Sequence, residues 1–304
     1  MSFTTYSRIA IVDIGHYTGT AVLKGLSCRD FINARVFISE KRLLDDIEEF
    51  SPEFLIVIGA KTGGIKFNID FCGDIIYSSL RLQADVIHLA QKIGVRKLIL
   101  IGTSCMYPKH SLQPIKEEYL MAGQVEETSE AHALAKLAGY GMCRAYKKQF
   151  GLNATVVVPA TIYGPGLHFD AENSHVISAF IKKFYDAKIA SDEEVTIWGT
   201  GKARREFIYI EDLINALIYI LKSEGNLDLI NVGVGYDYSI QELAEIVARE
   251  VQFTGVIKND LTAPEGVFQK LLDNTKILST GWRSIIPFHV GVRLTYEWFR
   301  EHFS

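Results

Sequence analysis

Five short runs of apolar, largely β-branched residues recur along the first half of the chain. They are RIAIVDI (8–14), ARVFIS (34–39), FLIVIG (54–59), KLILIG (97–102) and ATVVVPA (154–160). Continuous apolar runs, as opposed to alternating ones, are typical of strands that are covered on both faces of a parallel sheet. Helix-period segments such as 74–94 lie between several of them. This alternation predicts an α/β fold with a doubly wound parallel sheet.

The regular alternation weakens after about Tyr163. A loop over 164–175 is followed by a predicted helix over 176–188, a strand near 195–199 and a last α/β segment. We therefore predict a Rossmann-type dinucleotide-binding domain and a smaller α/β nucleotide-sugar-binding domain. The first covers 1–163, with 207–233 returning to it, and the second covers 164–206 and 234–304. The smaller domain is expected at the carboxyl ends of the strands, where open α/β sheets bind ligands.

Composition narrows the classes of function. A formal net charge of −4 gives no reason to expect nucleic acid or an anionic membrane as a partner. No apolar run approaches the roughly 20 residues of a membrane span, and a strand begins at residue 8, too early for a signal peptide. The four cysteines and eight histidines lack disulfide-like or metal-like spacing. We expect a cytoplasmic protein with reduced thiols and no metal.

The turn after the first predicted strand contains Gly15 and Gly19. A dinucleotide-binding turn needs a tight bend and a helix N-terminus that faces the diphosphate, and its full fingerprint has three glycines. This loop has two glycines, so an ordinary strand-to-helix turn explains it nearly as well. Glu40 stands where an acid would bind a ribose hydroxyl, but Lys41 and Arg42 follow at once and could hold a 2′-phosphate. The local sequence does not decide between NAD and NADP.

Two further segments carry candidate chemistry. Thr103, Ser104 and Cys105 follow the fourth predicted strand, at the edge where such folds place their active sites. His132 and Lys136 lie one turn apart on a predicted helix. The apolar stripe of that helix is predicted on the opposite side, from Leu134, Leu137, Ala138, Gly141 and Ala145. From spacing alone, His132 and Lys136 are either a solvated polar face or a catalytic pair.

Taken together, the motifs of the chain resemble those of the extended short-chain dehydrogenase/reductases, and more narrowly of the GDP-L-fucose synthase family. The matching segments are AKTGGI (60–65), GTSCMYPK (102–109), AKLAG (135–139), TIYGPG (161–166), NSHVI (173–177), WGTGKARREFIYIEDL (198–213), INVGVG (230–235) and KLLD (270–273). Dehydratases of the same superfamily carry an Asp-Glu pair where this chain has Cys105-Met106, which argues against dehydration.

The resemblance implies roles for particular residues. Thr103 would contact the sugar carbonyl, Lys136 would hold the nicotinamide ribose, and Cys105 with His175 would exchange protons during epimerisation. A further group would contact the substrate, with its three cations on the diphosphate: Asn173, Lys183, Arg205 and Lys270. The implied function is NADPH-dependent reduction at C4 of a GDP-linked 4-keto hexose or heptose, with or without C3/C5 epimerisation, by a homodimer.

Two departures from the family pattern leave alternatives open. The glycine loop is shorter and has Tyr17 near the place of the family's basic residue, which weakens the expectation of NADPH. His132 takes the place of the catalytic tyrosine. It could donate a proton as imidazolium, orient a water, or leave the step to Thr103 and Lys136. An epimerase without reductase activity and a catalytically silent nucleotide-binding protein are the alternative functions.

Overall fold

The structure, a computed structural model, describes residues 3–15, 17–60, 62–170, 174–223, 225, 227–263 and 266–303. A six-stranded parallel sheet forms its centre, in the strand order β10-β5-β4-β3-β1-β2. These strands are β1 (Ile9–Asp13), β2 (Ala34–Phe37), β3 (Phe54–Gly59), β4 (Lys97–Ile101), β5 (Ala154–Pro159) and β10 (Leu229–Val232). All five predicted runs are strands of this sheet, so the predicted α/β class is confirmed.

Helices alternate with these strands along the chain and continue into its C-terminal part. They are α1 (Thr18–Ser27), α2 (Leu43–Phe50), α3 (Ile65–Asp70), α4 (Cys72–Lys92), α5 (Glu130–Phe150), α6 (Val176–Ala190), α7 (Ile210–Lys222), α8 (Ile240–Val251), α9 (Thr275–Ser279) and α10 (Phe288–Phe303). Within the described ranges, no helix is both long and apolar enough to cross a membrane.

Three small sheets lie outside the central one. Their strands are β6 (Thr161–Tyr163), β7 (Glu194–Trp198), β8 (Arg204–Arg205), β9 (Phe207–Tyr209), β11 (Tyr238–Ser239), β12 (Val256–Asp260) and β13 (Gln269–Lys270). β6 pairs with β9, β7 with β12, and β8 lies between β11 and β13. β10 joins the central sheet beside β5, as expected if 207–233 returns to the first domain. The division into two domains stays a prediction.

The prediction for the faces of α5 is wrong. Four of the five predicted residues face outward: Leu134 is 43% exposed, and Ala138, Gly141 and Ala145 are also exposed, whereas Leu137 is half-buried and packs against the core. The buried positions are Ala133, Ala135, Lys136, Gly139 and Cys143. Small residues let α5 approach the sheet closely, since a Cβ on Gly139 would lie 2.8 Å from Leu100 Cδ2. Periodicity of the larger apolar residues therefore indicated the wrong side of this helix.

Candidate active site

The candidate chemistry gathers at the carboxyl end of β4. A short 3-10 turn, Ser104–Met106, begins there, and the hydroxyl of Thr103 accepts a hydrogen bond from Cys105 N at 3.3 Å. This bond uses a lone pair of Thr103 Oγ1 and leaves its O–H able to donate. The turn contacts α5, so residues that are far apart in sequence meet at one sheet edge.

Lys136 reaches from α5 to the ends of two neighbouring strands. Its ammonium donates to Ile58 O at 2.7 Å and to Ile101 O at 2.6 Å. The side chain is 3% exposed, which excludes the solvated-face interpretation for this residue. Burial lowers the pKa of Lys136 to about 8, and the carboxylate of Asp13 opposes that shift. The lysine is therefore a titratable cation fixed at the sheet edge.

His132 lies one turn before Lys136. These two residues share a crevice at the carboxyl end of β4 with Lys270 and Cys105. Burial, together with the charges of Lys136, His175 and Lys270, lowers the pKa of His132 to about 3. Its buried Nδ1 has no hydrogen-bond partner among the described residues. The imidazole is therefore neutral in the free protein. This environment favours donation from a neutral imidazole over donation from an imidazolium, and the role of His132 stays a prediction.

Cys105 faces a lysine from the other end of the chain. Lys270 Nζ donates to Cys105 Sγ at 3.2 Å, across 165 positions of sequence. Burial raises the pKa of the Cys105 thiol, but the Lys270 charge, the Lys270 hydrogen bond and the nearby hydroxyls of Ser129 and Thr103 outweigh it and lower that pKa to about 7. A large fraction of the thiol is thus thiolate near neutral pH, and thiolate is the reactive form.

The cations expected on the substrate diphosphate occupy different places. Lys270 and Arg205 are direct partners in the parallel pairing of β13 and β8, so they are neighbours beside Cys105. Lys183 instead donates to Thr196 O of β7. Asn173 lies outside the described residues. His175 immediately precedes α6 and is exposed, and its charge acts on the pKa of His132, which places it near the same crevice.

The turn between β1 and α1 has the features that a dinucleotide needs. Helix α1 starts at Thr18, directly after the turn, so the amides of its first turn lie at the sheet edge. Gly19 packs too tightly for any side chain, since a Cβ there would lie 2.5 Å from Asp13 Cβ. The rings of Tyr17 and His168 pack against each other, tilted by 30° with centroids 4.7 Å apart. This geometry and the position of Lys136 fit a bound nicotinamide dinucleotide.

The residues expected to meet the adenosine ribose follow β2 in the chain. Glu40 forms an ion pair with Arg81 of α4 at 3.4 Å, so the acid that would oppose a 2′-phosphate is partly neutralised. Arg42 pairs with Glu49 at 2.9 Å, and Lys41 is exposed. A cleft of about 290 Å³ is lined by Glu40, Arg42 and Arg81 among others. Arg42 lines this cleft with Glu40, and a contact of Lys41 or Arg42 with a 2′-phosphate stays a prediction.

Sequence reasoning missed two residues near Lys136 and Cys105, and one residue of the cleft beside Glu40. Asp13 closes the first apolar run, and an acid at the end of a buried strand was the signal that could have found it. Ser129 precedes α5 and acts on the Cys105 thiol, while Arg81 lies on the exposed side of α4. The sequence around Ser129 and around Arg81 carries no local signal for these roles. Within the described part of the chain, no group of three or more His, Cys, Asp or Glu side chains could hold a metal ion.

Comparison with known sequences identifies the family. Residues 18–233 match the model of the NAD dependent epimerase/dehydratase family. The chain belongs to this family, and its parallel sheet and the lysine at the sheet edge agree with that assignment.

Three individual relatives are similar to this chain over nearly its whole length. The chain is 40% identical over 294 residues to a probable GDP-L-fucose synthase 1 of Oryza sativa subsp. japonica, which covers 93% of this chain and 89% of the relative. A GDP-6-OMe-4-keto-L-xylo-heptose reductase from C. jejuni is similar in structure, with a TM-score of 0.91 at 30% identity over 99% of each chain. A GDP-mannoheptose C4 reductase from Campylobacter jejuni with NADP bound has a TM-score of 0.86 at 31% identity, over 98% of this chain and 99% of the other.

Proposed function

We propose that the protein reduces the C4 carbonyl of a GDP-linked 4-keto sugar with NADPH. The observation that carries the proposal is Lys136, a buried cation bonded to the ends of β3 and β4 beside Thr103, Cys105 and His132. The similarity to GDP-L-fucose synthases and to GDP-heptose reductases supports the substrate class. The NADP-bound relative and the pairing of Glu40 with Arg81 support NADPH over NADH.

Reduction needs a group that stabilises and protonates the oxygen on C4. When bound, NADPH supplies the hydride to C4, and the electron pair of the C4=O bond moves to the oxygen. The Thr103 hydroxyl and an N–H of neutral His132 donate hydrogen bonds to that oxygen as it becomes negative. Lys136 is the source of the proton, since its pKa near 8 is matched to the working pH.

Epimerisation at C3 and C5 is a second proposed activity, which the Cys105–Lys270 pair favours. Protons on these carbons are acidified by the neighbouring C4 carbonyl. A thiolate at Cys105 removes one such proton, and His175 returns a proton to the carbon. Lys270 and Arg205, with Lys183 on α6, bind the diphosphate in this proposal. Lys270 thus contacts both the Cys105 thiolate and the substrate diphosphate.

The first test is a cofactor and turnover assay. We expect the purified protein to bind NADPH more tightly than NADH, and to oxidise NADPH when given a GDP-4-keto hexose or heptose. Ligand fluorescence titration and loss of absorbance at about 340 nm measure these two results. Equal or tighter NADH binding would reject the coenzyme preference. Failure of every such sugar to be reduced, with cofactor bound, would reject reduction and leave epimerisation or a silent nucleotide-binding protein.

The protein is also proposed to be a cytoplasmic homodimer. Packed together, α4 and α5 expose a surface of apolar and small side chains that comprises Leu80, Leu134, Ala138, Gly141 and Ala145. Such a patch on a pair of helices is typical of an interface between subunits. All four cysteines are unpaired, which supports a reducing compartment.

A charge on this surface should separate the subunits. Leu134→Glu would place two like charges close to the symmetry axis of a helical interface, so we expect the dissociation constant to rise at least tenfold. Light scattering coupled to size-exclusion chromatography measures the mass across a dilution series. Leu261→Glu is the matched control, since Leu261 is 71% exposed and lies outside this surface. An unchanged dimer in Leu134→Glu would show that the subunits meet elsewhere.

A further inference from the structure

Asp13 is the last residue of β1 and stands at the entrance of the turn that leads into α1. In this fold, the amides of that turn and of the first helical turn are the donors for the dinucleotide diphosphate. The same amides, together with the helix dipole, favour any anion placed there. The environment of Asp13 therefore bears directly on how the cofactor is held.

The carboxylate of Asp13 already takes two of these donors. Its Oδ1 accepts from Gly15 N at 3.1 Å, and its Oδ2 accepts from Gly19 N at 2.6 Å. The residue is only 4% exposed. Its side chain fills the space that the missing Cβ of Gly19 leaves, at 2.5 Å from the ideal Cβ position. The chain thus places an anion of its own under the N-terminus of α1.

The negative charge of Asp13 also reaches the nicotinamide end of the crevice. It acts on Lys136, which bonds to the carbonyls at the ends of β3 and β4. A diphosphate bound by the amides of this turn would bring further negative charge close to the carboxylate. Two negative charges repel strongly in a partly buried site, because water screens them less there than in bulk solution.

We propose that Asp13 is an internal competitor of the cofactor diphosphate, which lowers the affinity of this chain for NADPH by occupying amide donors and by opposing negative charge. This inference rests on the proposed function, because it takes NADPH as the dinucleotide. Without cofactor the carboxylate is bonded to Gly15 N and Gly19 N, and its charge repels the diphosphate of an arriving cofactor. Removing the charge should therefore tighten binding of ligands that carry the diphosphate, and only of those.

The test compares Asp13→Asn and Asp13→Gly with the unaltered protein. Asparagine keeps the shape and one acceptor oxygen, whereas glycine removes the side chain. Calorimetric titration with NADPH should give a dissociation constant at least tenfold lower in Asp13→Asn, a conservative figure for removing one close like charge. Adenosine 2′-monophosphate, which lacks the diphosphate, should bind all three proteins within twofold. Asp30→Asn is the charge-matched control, since Asp30 is exposed beyond the other end of α1.

Thermal unfolding without ligand identifies any variant that does not fold, and Asp13→Asn keeps the test valid if the glycine variant fails. Unchanged or weaker NADPH binding by folded Asp13→Asn would overturn the inference. An equal gain in affinity for adenosine 2′-monophosphate would also overturn it, because the effect would then not involve the diphosphate. If the unaltered protein binds NADPH and the variants bind no tighter, the proposed function stands and the inference fails. If none of the proteins binds NADPH, both fail.

Discussion

Solvent deuterium is expected to stop entering C3 and C5 of a GDP-4-keto sugar when Cys105 is replaced by alanine. The rate of exchange should fall by about 10³-fold or more, within the range of a lost general base. Reduction of the 4-keto sugar should continue, since Thr103, His132 and Lys136 remain. Mass spectrometry of the recovered sugar measures exchange, and single-turnover oxidation of NADPH measures reduction separately.

The pH dependence of deuterium exchange is a second test of Cys105 as the base. Thiolate is the base, so exchange should rise with pH through the pKa of Cys105, about 7 in the free protein. Lys270→Met removes the cation that lowers this pKa and leaves burial, which raises it, so the rise should move to higher pH. Lys270→Arg keeps the charge and is the matched control.

Alkylation supplies a readout that needs no substrate. Iodoacetamide should label Cys105 in the same pH range as exchange rises, and peptide mass spectrometry separates this label from the exposed Cys28 and Cys72. If Cys105→Ala exchanged deuterium at a normal rate, another residue would be the base. A labelling profile unaltered by Lys270→Met would reject the role of Lys270.

His132→Phe should slow the reduction step by about 10²–10³-fold, the usual cost of removing one hydrogen-bond donor from a developing oxyanion. His132→Gln keeps a neutral N–H donor and should lose less, about tenfold. Rates come from single turnovers at saturating substrate, so that product release does not conceal chemistry. Equal losses in the two variants would reject hydrogen-bond donation by His132.

The pH profile distinguishes a neutral from a charged imidazole. With the pKa of His132 lowered to about 3, no loss of rate should follow its titration between about pH 5 and 7. The rate should fall as pH rises through about 8, because Lys136 then loses the proton that it supplies. A basic limb near pH 6.5 that disappears in His132→Gln would instead indicate an imidazolium acid.

The sheet could be predicted from sequence because burial on both faces requires apolar residues throughout each strand. Runs such as 54–59 and 97–102 are apolar throughout, and all five predicted runs are strands in the structure. The orientation of α5 could not be predicted in this way. Its buried contacts come from Ala133, Gly139 and Cys143, whose small side chains contribute little to an apolar periodicity.

The electrostatics of the site depend on partners that are distant in sequence. Lys270 sets the state of Cys105 across 165 positions, and the pKa of His132 follows from burial that no local pattern records. Motifs therefore indicated that Cys105 and His132 are chemically relevant, but not their charge. The same holds for Asp13, whose partners Gly15 and Gly19 were recognised while the acid beside them was not.

The close approach of α5 to the sheet has a consequence for how this site can vary. Gly139 lies three residues after Lys136, and its missing Cβ sets the distance between the helix and Leu100 of β4. Any larger residue at position 139 would push this turn of α5 away from the sheet. The ammonium of Lys136 would then move away from Ile58 O and Ile101 O. A displacement of about 1 Å can cost on the order of 10²-fold in rate. Selection for turnover would therefore constrain a position that has no reactive group of its own.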